Sequence, residues 1–94
     1  MKIKLKGNWE TKKVWLNGLE LALEPSQKIR NHSPDGFNWG YGGSGPAQLS
    51  LAICLSLYGE KGSNPSCYQN FKWDHIEGLP QSNFDVELEV KNNY

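Results

Sequence analysis

Two histidines, two cysteines and a glycine-rich block are the residues of this 94-residue chain whose chemistry bears first on function. Residues 40 to 45, GYGGSG, satisfy G-x-G-x-x-G, with Glu60 twenty positions beyond Gly40, as in a dinucleotide fingerprint. That fingerprint takes its meaning from a strand-helix-strand unit, and the pattern here runs from helix to helix, which argues against it. A phosphate-cradling P-loop is excluded because no Gly-Lys-Ser/Thr follows. Ser44 stands where a nucleophile elbow would place its serine, but Pro46 takes the position of the second glycine. No histidine and carboxylate are evidently placed to activate it, since His75 and Asp74 are adjacent and helical neighbours one apart diverge. Ser44 therefore reads as a helix cap. Cys54, Cys67, His32 and His75 show no C-x-x-C or H-x-x-x-H spacing, so the sequence predicts neither a metal site nor a catalytic one.

Binding remains. A helix opening beneath a glycine-rich loop offers unsatisfied N–H donors and the positive end of its dipole to an anion. Phe37, Trp39 and Tyr41 alternate just before it, so aromatic faces can stack a ring while Gly42, Gly43, Ser44 and Gly45 hold a phosphate or carboxylate. The expected ligand is nucleotide-like and the expected cations beside it are Arg30, His32 and Lys72. A second expectation, of a different class, is a protein-interaction module, since four Trp and four Tyr exceed what a small core readily hides and such residues dominate interface hot spots. In the bland reading the aromatics are core and the glycines form a tight turn.

The elements that must position these residues follow from periodicity. KIKLK at 2 to 6 alternates as a half-buried strand, and Asn17-Gly18 marks a hairpin between strands near 12 to 16 and 19 to 23. The polar run 24 to 35, with two prolines, reads as loop. Pro46 opens a helix over 46 to 58 whose apolar residues surround nearly its whole circumference, predicting a central, buried helix with Leu51, Ile53 and Leu55 in the core. A second, amphipathic helix is expected near 66 to 78, burying Phe71 and Ile76. FDVELEV at 84 to 90 alternates as a strand, and its acidic face complements the lysine face of 2 to 6, so the two are expected to be neighbours. The fold class is thus α+β, a small antiparallel sheet of three or four strands packed on two helices, in one domain.

Ten Lys/Arg balance ten Asp/Glu, which argues against non-specific nucleic-acid binding. No apolar run is long enough to span a bilayer and the first residues lack a signal peptide's apolar block, so a cytoplasmic location with free thiols is expected.

The blocks WGYGGSGPAQL at 39 to 49 and YQNFKWDHIEGLP at 68 to 80, with VWLNG at 14 to 18 and RNHSPDGF at 30 to 37, resemble a family of small uncharacterised proteins of bacteria, archaea and their viruses. The resemblance implies no activity and no cofactor. The interaction module expected from the Trp and Tyr content would take the form of a viral or mobile-element protein that blocks a host factor. The resemblance also implies a short helix after Leu79-Pro80, where the alternation of residues 84 to 90 predicts a strand.

Overall fold

The computed structural model describes all 94 residues. Four strands form one antiparallel sheet: β1 (Lys2–Gly7), β2 (Val14–Leu16), β3 (Leu19–Glu20) and β4 (Phe84–Glu89), in the order β3-β2-β1-β4. The fold is α+β. Strand β4 lies antiparallel to β1, with Lys2 opposite Glu89, Lys4 opposite Glu87 and Lys6 opposite Asp85. Each lysine thus faces an acid across the ladder, which accounts for the opposite charge of the chain's two ends without a partner. The strand after Leu79-Pro80 stands where the family resemblance implies a helix.

The buried faces of β1 and β2, with Ile3, Leu5, Val14 and Leu16, pack in one core with the helical residues Leu49, Leu51, Ile53, Phe71 and Ile76. The long helix α2 (Ser44–Tyr58) begins two residues before the expected start. Its first ten residues after Ser44 are buried, but Leu55 is only half-buried, against expectation. The helix is apolar all round, yet the fold leaves one side of its last turns uncovered.

Helix α1 (Glu24–Ile29) occupies the run read as loop. Pro25 sits in its first turn, where a missing N–H costs nothing. Gln48 of α2 makes the segment stay: its Oε1 accepts from the backbone N–H of His32 at 2.7 Å and Ser33 at 3.0 Å, and its Nε2 donates to Ser26 Oγ at 2.8 Å and Arg30 O at 3.2 Å. Solvent-facing polarity fits a helix as well as a loop once one buried amide ties down Ser26 and the backbone of residues 30 to 33. The hairpin falls at Asn17-Gly18, both at positive φ, but β3 stops at Glu20 instead of continuing to residue 23.

A single helical turn of 3₁₀ type (Gly59–Ser63) leads to α3 (Pro65–Phe71), which Asn64 caps by accepting from the Ser66 N–H at 3.0 Å. From Lys72 to Ile76 the chain widens into a π-turn. The expected second helix is therefore an α-helix joined to a five-residue π segment, a form tied in many proteins to functional sites.

Candidate functional site

The glycine-rich loop is shaped by the protein's own side chains. Gly43 precedes α2 as its cap residue and Ser44 is the first helical residue, so Ser44 is not the cap expected from sequence. A Cβ on Gly43 would come 2.5 Å from the Tyr41 ring, and one on Gly42 would lie 2.9 Å from Glu77 Oε1. Gly40 adopts φ +83° and its N–H donates to Ile76 O at 3.1 Å, tying the loop to the π-turn. Gly40, at positive φ against backbone, requires glycine whether or not a ligand comes, and a side chain on Gly43 would displace the Tyr41 ring, whereas the flexible Glu77 tip can give way at Gly42. The backbone N–H groups of Tyr41, Gly42, Gly43, Ser44 and Gly45 nevertheless have no acceptor within the chain. Pro46 has no N–H to add. The Glu77 carboxylate beside Gly42 sets a negative charge at the mouth of this run.

Trp39 is a correction. It is fully buried, its indole N–H donates to Ser82 O at 3.1 Å, and Trp9 and Phe84 meet it edge-on at 5.5 and 5.0 Å. No face is left for a ligand to stack on. Phe37 is buried as well, while Tyr41 remains exposed. The alternation that placed three aromatics together was that of a chain dipping in and out of the core.

Of the expected basic residues, Arg30 and Lys72 both act electrostatically on the His32 imidazole. His32 Nε2 lies 2.9 Å from Tyr68 OH, and Lys72 stands one turn beyond Tyr68 on the same helical run, donating its N–H to Tyr68 O. Arg30 is two residues before His32. Burial, first, and then the charges of Arg30 and Lys72 hold the His32 imidazole below its usual range. None of the three forms a salt bridge, although three such pairs exist elsewhere, at Met1–Glu89, Lys2–Glu87 and Lys91–Asp74.

Sequence reasoning missed Trp73. It is 61% exposed, the most exposed of the four tryptophans, and Lys72 Nζ lies 5.7 Å from its ring. Its signal was present in YQNFKWDHI: Tyr68, Phe71 and Ile76 claim the inward positions, leaving Trp73 outside.

Cys54 and Cys67 are free and buried; burial pushes the thiol pKa of each up, which leaves little thiolate for nucleophilic chemistry. No group of three or more His, Cys, Asp or Glu is gathered that would hold a metal ion. No helix is long and apolar enough to cross a membrane.

A four-stranded antiparallel sheet with helices on it defines a small α+β domain. The chain belongs to a family of unknown function, whose model matches residues 6 to 92. No curated protein matches it, and no solved structure does.

Proposed function

We propose that the protein is a non-catalytic binding protein for an anionic, nucleotide-like ligand, held at the patch formed by Arg30, His32, Lys72 and Trp73. The observation that supports this reading is that Arg30 and Lys72, both close enough to depress the His32 imidazole, form no salt bridge, while Trp73 beside Lys72 is open to solvent. Unpaired cations on adjoining segments attract a phosphate or carboxylate, and an exposed indole offers a stacking face worth roughly 1–3 kcal/mol per base. The expected site thus keeps Arg30, His32 and Lys72 and exchanges Trp39 for Trp73. Tyr41, Gly42, Gly43, Ser44 and Gly45 supply a neighbouring set of free N–H donors on the loop tied to the same π-turn. An anion reaching them meets Glu77, so they rank behind the cationic cluster.

Calorimetric titration with mono-, di- and cyclic nucleotides tests the reading. Binding is expected for the parent, with a loss of about tenfold or more for Trp73→Ala, the order that 1–3 kcal/mol implies, and a comparable loss for Lys72→Gln, with circular dichroism unchanged. No binding across the panel overturns it.

A further inference from the structure

The sheet ends at β4, whose far edge no other strand of the chain covers. One residue pair sets the phase of its hydrogen bonding. Met1 N donates to Val90 O at 2.7 Å and Val90 N donates to Met1 O at 2.8 Å, so these two exchange both main-chain bonds. Bonded and non-bonded pairs alternate along an antiparallel ladder, which makes Ile3–Leu88, Leu5–Val86 and Gly7–Phe84 the bonded pairs of β1 and β4. The Asn17 N–H, donating to Lys4 O at 2.8 Å, agrees with this phase, since it turns the Lys4 backbone toward β2. Asp85, Glu87 and Glu89 therefore direct their N–H and C=O groups away from β1, along the uncovered edge, and all three residues are exposed.

Proteins ordinarily blunt such an edge with a very short strand, a proline, a bulge or a covering segment. Strand β4 is six residues long, about 20 Å of ladder, pairs with β1 without a bulge and contains no proline. Val86 and Leu88 on its inner face are only half-buried, so apolar surface lies beside the free backbone groups. The opposite edge, β3, has two residues and offers no comparable ladder. We infer that the β4 edge is an interaction surface that takes an extended segment of another protein as a fifth strand, one in which basic and apolar residues alternate. Charge fixes that occupant. On its outer face β4 presents acids alone, and the complement is already in place on the other side, where Lys2, Lys4 and Lys6 of β1 stand opposite them. Those lysines leave the acids largely unengaged: Lys6 lies 5.9 Å from the Trp15 ring, on the β2 side, only Lys2 forms an ion pair, at 3.8 Å from Glu87, and Asp85 forms none. A strand with the same alternation on the far edge would set a basic side chain opposite each acid and apolar ones beside Val86 and Leu88. A second copy of β4 would instead set acid against acid, and a helix would leave the edge N–H and C=O groups unmet. The inference is independent of the nucleotide-like ligand, whose patch shares no residue with β4.

The test adds synthetic peptides to the whole chain: an alternating Lys/Val strand-former, its Glu/Val counterpart and a Leu/Lys helix-former. By fluorescence anisotropy the Lys/Val peptide is expected to bind about fivefold or more tighter than either control. Amide exchange followed by NMR should slow at Asp85, Glu87 and Glu89 on binding and stay unchanged at Val86 and Leu88, whose N–H groups already bond to β1. That alternation is read on the unaltered chain, so it decides even where a variant loses the fold. Glu87→Pro removes an N–H that β1 does not use and should abolish binding. Asp85→Lys combined with Glu87→Lys keeps every backbone group and should shift the preference to the Glu/Val peptide. Equal binding of all three peptides, no binding, protection without the alternation, or a doubly substituted chain that still prefers Lys/Val overturns the inference. So does a free chain that sediments as a dimer with the three edge amides already protected, which would give the edge to a second copy.

Discussion

The ring of Phe84 lies over the backbone of Gly7, its partner across the β1–β4 ladder: a Cβ on Gly7 would be in collision with the Phe84 ring edge. Glycine weakens a strand by exposing its backbone, and an aromatic ring laid across it restores the cover. The same ring meets Trp39 edge-on, so the pair joins sheet and core.

Gly7→Ala is accordingly expected to destabilise the protein, by about 1–3 kcal/mol through forced displacement of the ring. Thermal melts of the variant check it. Ala is otherwise the better strand residue, so a neutral or stabilised variant would show that the ring moves freely.

Gln48→Leu should be costly in another way. It removes four hydrogen bonds; His32 N–H keeps Arg30 O and Ser26 Oγ keeps Leu23 O, but the Ser33 N–H loses its partner, for a cost of about 1–3 kcal/mol. Hydrogen exchange is expected to rise at residues 24 to 33 more than in the strands. Uniform acceleration throughout would contradict a local role.

His32 supplies a pH dependence. Its folded pKa lies below the unfolded value because burial and then Arg30 and Lys72 disfavour the imidazolium. The unfolded chain therefore binds the proton more readily, and the stabilisation present above the unfolded value of about 6.5 is lost as pH falls through it toward the folded value. His75 is shifted the same way, chiefly by burial. Chemical denaturation between pH 7.5 and 5 should show falling stability, and His32→Gln should flatten part of the slope. A slope identical to the parent's would assign the effect to His75 alone.

Leu51→Ala, at a fully buried position of α2, should cost about 2–5 kcal/mol. Leu55→Ala, on the side of α2 that the fold leaves uncovered, should cost less, because its side chain is already half in solvent. Equal losses in parallel melts would place Leu55 in the core after all.

Much of the fold was legible because charge and apolarity alternated over long stretches. Residues 2 to 7 and 84 to 89 declared both their strands and their adjacency, and Pro46 announced α2 to within two residues. What could not be read depended on contacts remote in sequence. Helix α1 is polar because most of it faces solvent, and what anchors it, the bond from Gln48 to Ser26 and the bonds of Gln48 to residues 30 to 33, comes from some twenty residues on. Trp39 and Trp73 are equally aromatic in the sequence, and only packing against Trp9, Phe84 and Ser82 decides which is hidden. Residue type alone suggests Arg30, His32 and Lys72 as a set, while the contact that ties His32 to the helix carrying Lys72, its hydrogen bond to Tyr68, spans thirty-six residues.

The five-residue π-turn sets the register of everything after α3. An α-helix continued through Lys72 to Ile76 would turn each later side chain by a further fraction of a turn, carrying Ile76 away from the core and Glu77 away from the loop at Gly42. One residue inserted or deleted there would therefore uncouple the glycine loop from the sheet's far strand without touching either. Segment length, beyond the identities of the buried Ile76 and of Lys72 and Trp73, is therefore itself a requirement of residues 72 to 76.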